Sequence, residues 1–158
     1  MQEQEQLKRV LYHTAHTECL TYFEITGKFD PDQITAYLRI APERVRRIGD
    51  PRPNGQTAQT ASWRFGSITS RETDTAGLMM ETVRPLLAKE ALLRQIKLQY
   101  DARLVLCAVP LVRYDEPVPS LAPSLSVMRF CLETGTELVI DLYVSCPDHL
   151  TGEKNAAY

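Results

Sequence analysis

The stretch CLTYFEITGKFDPDQI, residues 19–34, decides the fold. Its first half alternates. Leu20 and Tyr22 fall on one side, and Thr21, Phe23 and Ile25 on the other, as in a strand with two unlike faces. Gly27 ends the alternation. Asp30-Pro31-Asp32-Gln33 then reads as a helix start: Asp30 is a capping residue, Pro31 suits the first helical position, and Gln33 is spaced to complete a capping box. Ile34, Tyr37 and Leu38 continue at helical spacing, and Pro42 stops the helix. A two-faced strand feeding a short amphipathic helix opens a layered α+β domain.

Working outward, residues 1–18 form a polar lead without the basic-then-apolar order of a secretory signal. Residues 43–60 hold Gly49, Pro51, Pro53 and Gly55 among arginines and are the most loop-like stretch, with a short strand expected around Val45 and Ile48. Residues 61–68 read as a strand with Ala61, Trp63 and Phe65 on one face. Thr73 or Asp74 caps the next helix. Its stripe of Leu78, Met79, Val83, Leu86 and Leu87 contains Pro85, so a kink or a split near residue 88 is expected, with a second segment carrying Leu92, Leu93 and Ile96. Residues 104–109 are apolar on both faces, which marks a central strand. Residues 110–123, with Pro110, Pro117, Pro119 and Pro123, read as a stiff connection.

Residues 125–132 are then read as a strand, Glu133-Thr134-Gly135-Thr136 as a hairpin turn, and Leu138, Ile140, Leu142 and Val144 as one face of a last strand. The expected architecture is a single α+β domain over residues 19–147. It has a mostly antiparallel sheet of about five to six strands, two to three helices on one face, and a polar tail over residues 148–158.

Length and composition support one domain. The chain has 158 residues, enough to bury a core without disulfides or metal. The longest run free of charged or strongly polar residues, 104–112, is far short of the about 20 a membrane helix needs. A cytoplasmic location is expected. Cys19, Cys107, Cys131 and Cys146 show no C-x-x-C spacing and read as free thiols. The net charge of −2 sets up no field for nucleic acid. Charge is nevertheless segregated. Arg39, Arg44, Arg46, Arg47 and Arg52 crowd one loop region, whereas Asp115, Glu116, Glu133, Glu137, Asp141 and Asp148 outnumber Arg129 toward the end.

Several segments resemble a known family. They are residues 22–27 followed by Phe29-Asp30-Pro31-Asp32-Gln33-Ile34-Thr35, then Leu38 and Ile40-Ala41-Pro42, then Arg47-Ile48-Gly49-Asp50-Pro51-Arg52-Pro53-Asn54-Gly55, then Ser62-Trp63. In this order and spacing, across roughly residues 20–145, the chain resembles the bacterial family called domain of unknown function 4279. The resemblance implies a bacterial source and a compact α+β fold. It implies no activity, cofactor or catalytic residue.

The candidate binding site is the loop with Arg44, Arg46, Arg47, Asp50 and Arg52, with Trp63 as a flat wall beside it. Guanidinium forks grip carboxylate or phosphate groups two bonds at a time, and Gly and Pro can hold a fork in one shape. The opposing expectation is a solvated loop in which Asp50 pairs an arginine and Trp63 lies in the core. His13, His16 and Cys19, spaced by three, would share a face only on a helix, so no metal site is expected. Glu24 and Asp141 could be paired carboxylates, or could pair with Arg64 or Arg129. Ser62, Ser67 and Ser126 with His13, His16 and His149 lack a nucleophile elbow, and no phosphate loop is present.

No catalytic set and no cofactor are expected, and the reading leans away from an enzyme. The first functional expectation is a non-enzymatic interaction domain that binds a protein partner, or itself, through the open sheet face or the arginine loop. A small-ligand or anion binder, or an enzyme without a recognisable motif, is the alternative. A toxin-neutralising protein using its acidic end is the third.

Overall fold

A computed structural model describes residues 16–71 and 74–145. Three long strands form the middle of a six-stranded sheet: β1 (Glu18–Gly27), β3 (Ala61–Ser70) and β4 (Arg103–Arg113). The three-residue β2 (Arg44–Arg46) lies at one edge, and β5 (Glu137–Ile140) and β6 (Tyr143–Ser145) line the other side of β4. β1 pairs antiparallel with both β3 and β4, and β2 pairs antiparallel with β3.

The helices are α1 (Pro31–Leu38), α2 (Thr75–Val83), α3 (Glu90–Tyr100) and α4 (Leu125–Thr134). Asp30 caps α1 by accepting the Asp32 amide. The expected capping box does not close, because the Gln33 carbonyl accepts the Tyr100 hydroxyl at 3.0 Å instead. Asp74 caps α2 by accepting the Gly77 amide, and Thr73 lies outside the described residues. Pro85 has the expected effect: between α2 and α3 the chain tightens into a 3-10 helix over Arg84–Lys89.

The end of the domain corrects the sequence reading. Residues 125–132 are not a strand but most of α4. Val127, Phe130 and Thr134 are its buried positions, at spacings of three and four, and Ser124 caps it by accepting the Val127 amide. Gly135 is not a hairpin residue. It closes α4 at φ 66°, with its own amide on the Leu132 carbonyl and the Thr136 amide on that of Cys131, as in a Schellman motif. The last strand is broken in two, and both pieces run parallel to β4. A parallel neighbour needs a crossover, which α4 supplies. Pro110 also lies within β4 rather than beyond it. It falls between the part of β4 paired to β5, up to Ala108, and the part paired to β6, from Leu111, so its missing N–H interrupts no parallel ladder.

All four helices pack on one face of the sheet. Ile34, Leu38, Met79, Leu93, Ile96, Val127 and Phe130 meet Phe23, Ile25, Trp63, Leu104 and Leu106 in one buried cluster. Phe130 and Phe23 meet edge to face with ring centres 6.2 Å apart. The opposite face carries Leu20, Tyr22 and Glu24 from β1, Ser62 and Arg64 from β3, and Val105 and Cys107 from β4. No helix covers it among the described residues.

The start of β1 is tied down by a carboxylate. The Thr17 amide donates to Glu116 Oε2 at 2.5 Å, and His16 Nδ1 lies 3.3 Å from Oε1. The Thr17 amide, then its hydroxyl, hold the Glu116 carboxyl below the usual range against an opposing effect of desolvation, and His16 adds to the lowering. A lowered folded-state pKa means that the tether contributes above the unfolded pKa and is lost as pH falls through the folded one. The protection of the Thr17 amide, its exchange rate set against the intrinsic rate at the same pH, is therefore expected to fall on acidification below the ordinary carboxylate range. In Glu116→Gln, that protection should already be reduced at neutral pH and should lose the acid step when followed by NMR.

Candidate functional site

The sheet register builds the site. Arg44 stands opposite Arg64, Val45 opposite Trp63, and Arg46 opposite Ser62. Across β1, Arg64 stands opposite Glu24. Side chains alternate along strands, so Arg44, Arg46, Ser62, Arg64 and Glu24 share the open face while Trp63 points into the core.

The loop between β2 and β3 forms a wall over this group. Arg47-Ile48-Gly49-Asp50 is a turn in which the Asp50 amide reaches the Arg47 carbonyl at 3.2 Å and Gly49 takes φ 90°. The Asp50 carboxylate accepts the Arg47 amide at 2.6 Å. Beyond the turn the loop doubles back. Gly49 bonds Ala58, Ala58 bonds Asp50, Pro51 bridges Thr57, and Arg52 bonds Gln56. A tip turn from Arg52 to Gly55 closes it, with Pro53 in its second position. The opposing expectation holds in part: the loop is largely exposed, Asp50 engages the Arg47 amide and Trp63 lies in the core, yet the loop backbone is hydrogen-bonded along its length.

Between wall and sheet lies a recess of about 390 Å³, lined by Glu24, Arg44, Arg46, Asp50, Arg52, Ser62 and Arg64, with Val45, Pro51 and Pro53. Four guanidinium groups face two carboxylates. Glu24 is shared with Arg64 at 3.4 Å, and Asp50 is engaged by its own turn. Arg64 lies 3.8 Å above the Tyr22 ring, and its Nε is buried without a hydrogen-bond partner among the described residues. Arg46 spends only Nε, on the Thr60 carbonyl at 3.4 Å. The Arg44 and Arg52 side chains and the Ser62 hydroxyl make no hydrogen bond or ion pair among the described residues. The recess thus holds a surplus of unspent positive donors.

Two of the expected site residues are elsewhere. Arg47 turns away from the recess and bonds Asp30 at 2.8 Å and both oxygens of Asp32 at 2.9 Å. It anchors the loop to the start of α1. Trp63 is fully buried and donates its indole N–H to the Thr35 hydroxyl at 3.0 Å. Arg64 and Ser62 were absent from the sequence-based site. Their signal was the odd–even alternation of residues 61–65, which puts them opposite Trp63 and toward the same face as Arg44 and Arg46.

The other candidates do not assemble. A larger but shallow concavity of about 550 Å³ lies against Lys28, Phe29, Pro31, Ile48 and Tyr100, but the arginine that reaches it, Arg47, is taken by the two aspartates. Asp141 accepts the Tyr143 hydroxyl at 2.8 Å, while Glu24 faces Arg64. His13 and His149 lie outside the described residues, and His16 engages Glu116. Among the described residues no three His, Cys, Asp or Glu come together to hold a metal, and no helix is long and apolar enough to cross a membrane. Cys19 and Cys107 are buried free thiols, and Cys131 is half-buried on α4. Burial pushes Cys19 up to about 11, which keeps it protonated and unreactive. Cys146 lies outside the described residues. The acids expected to form a negative end are largely engaged: Asp115 by Arg113, Glu116 by Thr17 and His16, Glu133 beside Arg94, and Glu137 by Arg103.

Fold and recess together define a small α+β domain with one covered sheet face and one open face carrying an arginine-lined hollow. The family model described as Domain of unknown function (DUF4279) matches residues 17–145, and the chain belongs to that family. No curated protein and no solved structure matches it.

Proposed function

We propose that this domain is a non-enzymatic recognition module that binds an anionic group, carboxylate or phosphate, in the recess between β2, β3 and the 47–60 loop. The observation that carries this reading is the convergence of Arg44, Arg46 and Arg52 with uncommitted donors on one concave, hydrogen-bonded frame. Charge-assisted bonds from such forks are about twice as strong as neutral ones. The backbone frame is already folded around the hollow, so the ordering cost of binding falls on the arginine side chains and not on the loop.

Calorimetric titration with citrate, and separately with inorganic phosphate, tests the reading. Saturable binding that weakens as salt is raised is expected, with NMR shifts at Arg44, Arg46, Arg52 and Ser62. No saturable heat with either anion, or shifts confined to residues outside the recess, would remove it.

A further inference from the structure

We infer that the anionic group belongs to an extended acidic segment of a protein partner, which adds as a further strand to the free edge of β2. This rests on the recess being an anion site and names what carries the anion there.

The recess opens beside a strand edge. β2 is the terminal strand of the sheet, and no strand among the described residues pairs with its outer side. The backbone groups of Arg44, Val45 and Arg46 that are not turned to β3 take no hydrogen bond among the described residues. Unspent edge groups next to a side-chain site are the arrangement by which a sheet captures an extended chain, with main-chain bonds supplying affinity and alternate side chains supplying selectivity.

The alternation of β2 specifies the partner. Arg44 and Arg46 stand on the open face, and Val45, 39% exposed, stands on the other. A strand laid beside them presents its own alternate residues to the same two faces. The complementary segment carries acids on one side and apolar side chains on the other. The one acid next to β2 in sequence does not oppose this: Glu43 is turned to the Ser67 amide on β3 at 2.7 Å. Charged residues on an edge usually repel unwanted strands, and arginines here exclude basic and neutral ones while admitting an acidic one. The hollow also has room for more than a single carboxylate, since a water takes about 30 Å³.

The test uses the full chain, isotope-labelled for NMR, and a blocked octapeptide of alternating glutamate and valine. Two further versions carry N-methyl groups, one on every glutamate amide and the other on every valine amide. Only one of the two series faces the protein in an added strand. The parent peptide is expected to bind saturably and to slow hydrogen exchange of β2 amides. One methylated version is expected to lose at least about tenfold in affinity, and the other to stay within about twofold. Equal binding by both methylated versions overturns strand addition. So does equal binding by a peptide of four glutamates followed by four valines. If citrate binds and the octapeptide does not, the anion site stands and the partner assignment falls; if neither binds, both fall.

Discussion

Replacing Arg44 and Arg46 together by glutamate is expected to lower citrate affinity by at least about 100-fold while leaving the fold intact. Each guanidinium bond to a carboxylate contributes about 1.5–3 kcal/mol, and each 1.4 kcal/mol is about tenfold in affinity. Two lost arginines alone account for that factor. The introduced glutamates add repulsion, directed at the ligand from the same two positions, in a hollow that already holds Glu24 and Asp50. Stability should change little, because Arg44 makes no bond among the described residues and Arg46 only a long one to Thr60. Arg47→Gln is the contrasting variant. Its side chain faces Asp30 and Asp32 rather than the hollow, so citrate affinity should stay within about threefold. Calorimetry on the three proteins separates the alternatives. Loss of binding in Arg47→Gln with none in the double variant would place the anion at the start of α1 instead of on the open face.

How much of this was legible in the sequence depends on the kind of signal. β1, α1, the 3-10 interruption at Pro85 and the central β4 were readable because period, cap and proline agreed locally. Residues 125–132 were misread because LSVMRFCL satisfies both periods. Alternation sorts Val127 and Cys131 from Met128, Phe130 and Leu132, yet the helical positions Val127, Phe130 and Thr134 are the ones buried. Ser124 after Pro123 and Gly135 beyond the run were the decisive cap and stop, and Gly135 was read as a hairpin residue instead. That one error also reversed the direction of β5 and β6, since a hairpin gives antiparallel neighbours and a helical crossover gives parallel ones. The arginine loop was visible as composition. Which arginines act together was not, because Arg46 and Arg47 are adjacent in sequence and diverge by strand geometry: Arg46 ends β2 on the open face, and Arg47 begins the turn that reaches α1. The face of Arg64 was readable from the alternation of residues 61–65, but its place beside Arg44 follows from a register that no local pattern states.

The same alternation places Trp63 in the core, and Trp63→Ala is expected to cost about 3–5 kcal/mol. The indole is fully buried and stacks at 6.0 Å on Phe65. In register it stands between Ile25 on β1 and Val45 on β2, so its removal opens a cavity where β3 packs on α1. Its N–H bond to Thr35 is lost as well, although the Thr35 hydroxyl still reaches the Pro31 carbonyl at 3.1 Å. Against a total of about 5–15 kcal/mol, this is enough to leave a large unfolded fraction. Urea denaturation followed by circular dichroism measures it, because the variant removes the only tryptophan in the chain. Trp63→Phe keeps most of the filled volume and should cost about 1–2 kcal/mol. Because Trp63 and Arg64 point to opposite faces of β3, the phenylalanine variant should also bind citrate within about twofold of the parent. A destabilised protein with an undisturbed recess is the result expected of a sheet whose two faces do separate work; citrate affinity falling in step with stability would show that the recess depends on the core behind it.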